Sequence, residues 1–258
     1  MQNYKLVVSY DGTGFRGWQR QPGERTIQSA LEEAVFKITG KKTTVHGAGR
    51  TDAGVHALGQ TANVHVTTRL ADGELFRALN AVLPWDLRII TLGRVPAGFH
   101  ARKSAKTKVY QYRIVTSRQV SPFDFRYVLH WPHPLNVRAM RRAAPLFVRR
   151  ADFTAFSSNR ELGPVRTVLR SELRKKGDEL SYTIEANGFL RYMVRAIVGT
   201  LLEIGRGKIP PEAVEEIFAQ KDRAKAGPTA AAKGLCLVRV DYGSRTKPIK
   251  QASSSGLV

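Results

Sequence analysis

The chain has 258 residues, of which 42% are hydrophobic and 24% are charged, so its composition is that of a folded globular protein rather than a disordered one. Its 42 Lys and Arg face 21 Asp and Glu, and the net charge of +21 favours nucleic acid as a partner over an anionic membrane surface. The single cysteine, Cys236, excludes an intrachain disulfide and a Cys-rich zinc site. The sequence contains no run of 18 apolar residues and no recognisable secretion signal, so we expect a soluble cytoplasmic protein.

The first hundred residues alternate between strand-like and helix-like patterns. Short apolar runs rich in β-branched residues predict strands, and apolar residues three or four apart predict amphipathic helices. Across 59–67, Ala62, Val64 and Val66 alternate with polar residues, so we expect this strand to be buried on one face only. Strands are expected at 5–10, 59–67 and 87–92, and helices from the cap at Thr26 to Gly40 and from about Leu75 to Pro84.

The second half of the chain repeats this plan. Two strand-like runs on either side of Lys176-Gly177-Asp178 indicate a hairpin, and Asn136 is positioned to cap a helix. Predicted strands lie at 108–116, 165–174, 180–186 and 235–240, and predicted helices at 136–147, 190–204 and 210–218.

These elements predict an α+β fold of two similar halves, each a mainly antiparallel sheet with helices on one face. We place the first half at residues 1–102 and the second at 103–243, with the join near Gly98 to Lys106. The segment at 244–258 has little apolar content, so we expect a flexible tail there.

A glycine-rich loop at 47–60 carries the main candidate for chemistry. Its four glycines surround Arg50, Thr51, Asp52 and His56, and glycines allow a ligand to approach a carboxylate closely. The spacing fits neither a phosphate-binding loop nor a dinucleotide fingerprint. A turn in which Asp52 bonds its own backbone remains the simpler interpretation of the spacing alone.

Metal and triad chemistry find little support in the sequence. The six histidines form no H-x-x-x-H or H-E-x-x-H pair, and no G-x-S-x-G motif accompanies a serine nucleophile. Cys236 falls in a predicted buried strand, where packing is favoured over nucleophilic chemistry. We therefore expect no metal site.

Two basic segments offer candidate contacts to an anion. The strand at 108–113 places Lys108, Tyr110 and Tyr112 on one face, which suits base stacking and phosphate contact but also an ordinary sheet rim. Arg191 and Arg195 are four residues apart in an apolar predicted helix. Arg195 borders the core face of this helix, so it either meets an anion or extends to solvent.

Four blocks of sequence resemble the tRNA pseudouridine synthase A family, and they extend from residue 10 to residue 235. The block at 49–57, Gly-Arg-Thr-Asp-Ala-Gly-Val-His-Ala, is highly specific. The other blocks are 10–19 with 25–28, 110–113, and 189–199 with 226–235.

The resemblance implies a pseudouridine synthase fold, usually a homodimer, that acts on uridine at positions 38, 39 and 40 in the anticodon arm of tRNA without cofactor or metal. It implies that Asp52 is the nucleophile, that Tyr110 packs on the target uracil and that Arg195 pairs with Asp52. Arg50 matches a residue that helps to extrude the nucleotide. A paired Arg195 should lower the pKa of Asp52, and the target base must leave the stack to be reached.

Two other functions fit parts of the sequence. A non-catalytic RNA-binding module would explain the charge and the strand aromatics, and it would bind RNA without changing it. A phosphate-ester or nucleotide enzyme would use the glycine-rich loop, although the spacing of that loop does not fit. Release of tritium from C5-tritiated uridine in tRNA separates an isomerase from the RNA-binding module.

Overall fold

The structure, a computed structural model, describes residues 1–158 and 163–243, and the tail predicted at 244–258 lies outside these ranges. The strands are β1 (Gln2–Tyr10), β2 (Val45–Gly47), β3 (His56–Val66), β4 (Leu87–Arg94), β5 (Thr107–Val115), β6 (Leu129–His130), β7 (Arg150–Asp152), β8 (Val165–Lys176), β9 (Glu179–Ala186) and β10 (Leu235–Asp241). The α-helices are α1 (Ile27–Thr39), α2 (Asp72–Val82), α3 (Val137–Ala143), α4 (Met193–Gly205) and α5 (Ala213–Gln220). Short 3-10 helices lie at Gly12–Gly14, Ala144–Phe147, Thr154–Phe156, Arg223–Lys225 and Ala232–Gly234.

The described strands form one sheet, ordered β4-β1-β3-β10-β5-β9-β8-β7, with β2 added to β3 and β6 added to β5. Neighbouring strands are antiparallel except for β3 with β10 and β5 with β6. The α+β class with a mainly antiparallel sheet is therefore confirmed. The sheets of the two halves are continuous because β10 lies between β3 and β5. The division of the chain at residue 102 stays a prediction.

Helix α1 shows how local sequence sets an element. The Thr26 hydroxyl accepts a hydrogen bond from the Ser29 backbone N–H, and the Ser29 hydroxyl accepts one from the Thr26 N–H, which forms a capping box. Gly40 ends the helix in the left-handed conformation at φ 69°. Ile27, Leu31 and neighbouring apolar residues face the core, as their spacing predicts.

Strand β3 is buried on both faces, so the prediction of a half-buried strand is wrong. Thr61 and Asn63, on the face expected to meet solvent, are 2% and 1% exposed. The segment before β5 covers this face, and the Asn63 side-chain oxygen accepts a hydrogen bond from the Ala101 N–H at 2.9 Å. Asn63 also donates to the Asn3 side chain at 3.1 Å, so polar residues on this face are paired internally.

Helix α4 begins at Met193, three residues later than the predicted start at residue 190. Tyr192 precedes the helix in a left-handed conformation at φ 62°, and the Met193 N–H bonds the Leu190 carbonyl oxygen in a turn. Arg191 therefore lies in this turn rather than in the helix. Helix α5 likewise begins at Ala213 instead of at residue 210, after a turn that contains the two prolines.

One apolar cluster extends through both halves of the chain. Helix α1 packs beside α2 in the first half, and α3 packs beside α4 in the second. Helix α4 is buried almost all round, with Ile197, Val198 and Leu201 each at most 1% exposed. Throughout residues 1–158 and 163–243, every helix is too short or too polar to cross a membrane.

Candidate active site

Asp52 lies in the loop between β2 and β3, and the residues on either side of it are fixed by hydrogen bonds. The Thr51 carbonyl oxygen accepts from the Trp18 N–H at 3.0 Å, and the Thr51 hydroxyl bonds the Tyr10 hydroxyl at 2.9 Å. After Asp52, the Val55 N–H donates to the Asp52 carbonyl oxygen at 3.2 Å and closes a turn. The carboxylate is thus presented from a loop with a defined backbone.

The segment at 11–18 supports this loop, a role that the sequence analysis did not assign to it. Gly17 has φ +86°, and a Cβ at this position would lie 2.6 Å from the Thr51 carbonyl oxygen. Only glycine therefore fits between the two backbones. Further along, the Gly12 N–H donates to His56 Nδ1 at 3.1 Å. The repeated glycines at 12, 14 and 17 were the available signal of this close packing.

Two glycines of the loop at 47–60 are required by internal packing, which the sequence analysis did not predict. A Cβ on Gly47 would lie 2.4 Å from the Trp18 ring, and one on Gly59 would lie 2.5 Å from the Val238 carbonyl oxygen in β10. A Cβ on Gly49 would be in ordinary contact, 3.6 Å from the end of the Lys108 side chain. These glycines therefore let the loop and the sheet pack closely around Asp52.

Asp52 and Arg195 form an ion pair, although they are 143 residues apart in the sequence. One Arg195 guanidinium nitrogen donates to Asp52 Oδ2 at 3.0 Å. The Asp52 side chain is 28% exposed and that of Arg195 is 16% exposed, so the pair is partly shielded from water and still open on one side. The carboxylate retains a second oxygen that can reach a ligand.

The Arg195 guanidinium makes two contacts besides that with Asp52, and a backbone hydrogen bond holds the residue itself. It projects from the first turn of α4, and its Nε donates to the Ala230 carbonyl oxygen at 2.7 Å. The Ala230 N–H in turn donates to the Arg195 carbonyl oxygen at 3.1 Å. The Tyr192 ring lies 4.9 Å from the centre of the guanidinium group. The orientation of the guanidinium is therefore set before any substrate binds.

The pKa of Asp52 is raised above its ordinary value because burial of the carboxylate outweighs the other influences on it. The Arg195 hydrogen bond and charge lower this pKa, and Arg191 lowers it further, but together they do not compensate for the desolvation. Arg195 thus lowers the Asp52 pKa, as its pairing predicts, and burial, which the sequence analysis did not consider, raises this pKa by more.

Tyr110 lies on β5 beside this pair, with its side chain turned to the same cleft. The residue is only 7% exposed, and the edge of its ring meets Phe189 at a centroid distance of 5.0 Å and an interplanar angle of 86°. Burial and the nearby Asp52 charge raise the pKa of the Tyr110 phenol, so the hydroxyl is neutral. A neutral aromatic ring next to the carboxylate suits contact with a base.

Arg50 is exposed on the other side of Asp52. Its Nε donates to the Gln19 side-chain oxygen at 2.9 Å, and Gln19 donates to the Gln28 side chain on α1 at 2.7 Å. The structure therefore links Arg50 to α1 through two glutamines. Neither glutamine was predicted from the sequence as a functional residue, although Gln19 and Gln28 both lie within the resembling blocks.

All four predicted site residues line one cleft of about 1550 Å³. Five further cationic residues line the cleft: Arg16, Arg102, Lys108, Arg166 and Arg191. Over the described ranges, no three His, Cys, Asp or Glu side chains converge to form a group that could hold a metal ion. Cys236 is half-buried in β10, and burial raises its pKa to about 12, which disfavours a thiolate nucleophile.

The cleft combines an ion-paired carboxylate, an aromatic ring and several cations, a set of groups that suits a polyanionic ligand. Residues 6–102 and 143–243 match the family described as tRNA pseudouridine synthase. Two similar proteins are named tRNA pseudouridine synthase A. The one from Thermoanaerobacter sp. (strain X514) is 43% identical, and the match covers 94% of this chain and 100% of that protein. The one from Halalkalibacterium halodurans is 45% identical, and the match covers 91% of this chain and 90% of that protein. A third, from Thermodesulfovibrio yellowstonii, is 41% identical over 94% of this chain and 100% of its own.

The chain belongs to the tRNA pseudouridine synthase family. It is therefore an enzyme, an isomerase that converts uridine to pseudouridine, and the family resemblance seen in the sequence is confirmed. Family membership favours this function over a non-catalytic RNA-binding module and over a phosphate-ester enzyme.

Proposed function

We propose that this isomerase acts on tRNA in the cytoplasm, at positions 38, 39 and 40 of the anticodon stem-loop, with Asp52 as the nucleophile. The observation that carries the proposal is the Asp52–Arg195 pair, with its 3.0 Å hydrogen bond, in the cationic cleft beside Tyr110. The net charge of +21 supports a polyanionic substrate.

The reaction requires only rearrangement of bonds within one nucleotide. The N1–C1′ bond breaks, the uracil turns over, and a C5–C1′ bond forms; C5 loses a proton and N1 gains one. No electrons are gained or lost overall. Asp52 acts as the nucleophile in its ionised form, and Arg195 favours that form and fixes the direction of the carboxylate.

The target uridine must leave the helical stack to reach Asp52, at a cost of roughly a few kcal/mol. Contact of the base with Tyr110 offsets about 1–3 kcal/mol of this cost. Arg50 lies exposed at the edge of the cleft, where its guanidinium can contact the backbone of an extruded nucleotide. These roles correspond to an enzyme that recognises the shape of tRNA through backbone contacts.

The test of the proposed nucleophile is Asp52→Asn, which keeps the shape of the side chain and removes its charge. We expect this variant to release no tritium from tRNA containing C5-tritiated uridine while its tRNA affinity stays within about threefold of the wild type. Asp178→Asn is the matched control, because Asp178 is exposed at the β8–β9 turn, away from the cleft. Normal tritium release by the Asp52→Asn variant would refute the nucleophile.

We also propose a homodimer, as the family resemblance implies. Two aromatic side chains in the segment between β5 and β6 support an interaction surface, since Phe123 is 90% exposed and Phe125 is 51% exposed. Light scattering after gel filtration should give twice the chain mass of 28.7 kDa. A mass equal to one chain at micromolar concentration would contradict the dimer.

A further inference from the structure

Lys108 is a partly buried lysine in the cleft that the chemistry above does not use. It lies two residues before Tyr110 on β5, so both side chains lie on the same face of the strand. The end of its side chain passes the backbone of Gly49, with Nζ 3.6 Å from the point where a Cβ would be, in the loop that carries Asp52. Lys108 thus extends between the sheet and the catalytic loop.

The surroundings of Lys108 are cationic. The charges of Arg102 and Arg166 act on its ammonium group, and His100 and His46, stacked at 5.1 Å, line the same cleft. The flanking strands carry Glu185, opposite Val109, and Asp241, opposite Thr107, and both of these β5 residues face away from the Lys108 side of the strand. Asp52 is paired with Arg195.

Within the described chain, the Lys108 ammonium group has no hydrogen bond or ion pair to a protein group. Burial, Arg102 and Arg166 all lower its pKa, to about 8, and no carboxylate raises it. A shielded cation among other cations is unfavourable unless an anion joins it. Among residues 1–158 and 163–243, no carboxylate lies within ion-pair distance of the Lys108 ammonium group, so a bound anion would stabilise it.

We propose that Lys108 binds a backbone phosphate of the RNA next to the nucleotide whose base contacts Tyr110. This inference rests on the proposed function. Side chains two residues apart on one face of a strand are about 6.6 Å apart along it, so a nucleotide held at one of them is close to the other. A base at Tyr110 therefore brings a neighbouring phosphate within reach of the Lys108 ammonium group.

The first test measures the affinity for unmodified full-length tRNA at pH 7 over a range of salt concentrations. Lys108→Gln should bind about tenfold more weakly, and the slope of log affinity against log salt should decrease by about 0.7–0.9. Lys108→Arg keeps a cation and should bind within about twofold of the wild type. Lys176→Gln is the control for loss of one positive charge, because Lys176 is exposed at the β8–β9 turn and does not line the cleft.

The second test uses the pH dependence of tRNA affinity. With the Lys108 pKa at about 8, the free protein carries the ammonium form on about nine tenths of molecules at pH 7 and on about one tenth at pH 9. Raising the pH removes the charge that holds the phosphate, so wild-type affinity should fall about fivefold between these values, given the tenfold contact. Lys108→Arg should show no such fall, because arginine stays charged. His46, His100, Arg102 and Arg166 are unchanged in this comparison.

The outcomes separate this proposal from the proposed function. If the wild type releases tritium from tRNA but Lys108→Gln binds as tightly as the wild type, the phosphate contact is refuted and the isomerase stands. If the Lys108→Gln variant does not fold, the pH dependence of tRNA affinity is compared between the wild type and Lys108→Arg. Equal pH dependence of the two affinities refutes the phosphate contact. If the wild type releases no tritium, the proposed function itself fails.

Discussion

The Asp52 carboxylate is under two opposing influences, and its reactivity depends on their balance. Burial raises its pKa, and Arg195 and Arg191 lower it, with burial the largest of the three. Burial keeps water from the carboxylate and so raises its pKa, which means that the ionised form is lost at a higher pH than in a free aspartate. The ionised form of this poorly hydrated aspartate is favoured by Arg195 and Arg191.

Arg195→Met should shift the acidic limb of the pH profile of kcat/KM to higher pH. The substitution removes the cation that lowers the Asp52 pKa, so the carboxylate becomes protonated at a higher pH than in the wild type. Arg195→Lys keeps the positive charge, but a lysine cannot bond Asp52 and Ala230 at the same time as the guanidinium does. Its acidic limb should therefore lie at a pH between those of the wild type and Arg195→Met. An unchanged limb in Arg195→Met would show that Arg195 does not control the ionisation of Asp52.

Tyr110→Phe should retain tRNA affinity within about twofold, whereas Tyr110→Ala should lose about 1–3 kcal/mol of binding free energy. The phenylalanine keeps the ring that meets Phe189 and the base, and the hydroxyl it lacks is neutral because burial raises the Tyr110 pKa. Equilibrium binding of tRNA measures both variants. Weak binding by Tyr110→Phe would mean that the hydroxyl, rather than the ring, makes the contact.

The four candidate site residues were chosen from the sequence for unequal reasons, and the structure brings all four to one cleft. The spacing of the loop marked Asp52 as a carboxylate among glycines, but it could not separate a nucleophile from a turn residue. The pairing of Asp52 with Arg195 spans 143 residues, so only the family resemblance implied it. The balance that sets the Asp52 pKa depends on burial by distant segments, and no local pattern contains that information.

At the scale of elements, helix α4 places Arg195 by packing directly on the backbone at 226–230. A Cβ on Gly199 would lie 1.6 Å from the Pro228 carbonyl oxygen, and one on Gly227 would lie 2.5 Å from the Gly199 backbone. The two segments can approach this closely only because both positions are glycine. The same approach brings the Ala230 carbonyl oxygen to Arg195 Nε.

Gly199→Ala should therefore both destabilise the protein and reduce activity. The added methyl group overlaps the Pro228 backbone and pushes α4 away from the 226–230 segment. The free energy of unfolding should fall by about 1–3 kcal/mol or more. The melting temperature should fall by about 2–4 °C for each kcal/mol. Activity should fall at temperatures where the variant is still folded, because Arg195 loses its position.

Gly98→Ala is the matched control for this change. A Cβ on Gly98 would have no atom within 4 Å, and the residue does not require a left-handed backbone. This variant should keep the melting temperature and the activity of the wild type. A Gly199→Ala variant as stable and active as the Gly98 control would contradict the close packing of α4.

Prediction of the elements succeeded where local signals are strong. Helix α1 has a capping box at its start and a left-handed glycine at its end, and both boundaries follow from the sequence. Helix α4 begins later than predicted because Tyr192 adopts a left-handed conformation, which a tyrosine rarely favours. The apolar spacing of the helix also extends to the residues before Met193, so the spacing did not mark this start. The short strands β2, β6 and β7 have two or three residues each, too few for a pattern.

At the scale of the whole molecule, one strand joins the two halves. Strand β10 pairs with β3 in parallel and with β5 in antiparallel orientation, although β3 precedes it by about two thirds of the chain. The sequence predicted two similar halves but contained no signal for this crossing, because the pairing of distant strands is a tertiary choice. The cleft lies where residues from both halves meet: Asp52 comes from the first half, and Tyr110 and Arg195 come from the second.

The shared sheet predicts that both halves unfold together. Separating them would leave the edges of β3 and β5 without β10, which exposes backbone groups that are now paired. Trp18 lies in the first half and Trp131 in the second, so they report on the halves separately once the exposed Trp85 is replaced. Two variants are needed, both with Trp85→Phe, one of which keeps only Trp18 and the other only Trp131. In each variant the fluorescence transition in urea should coincide with the loss of far-UV circular dichroism. A Trp18 transition at a different urea concentration from the circular dichroism change would instead establish two independently folding domains, as the division at residue 102 would allow.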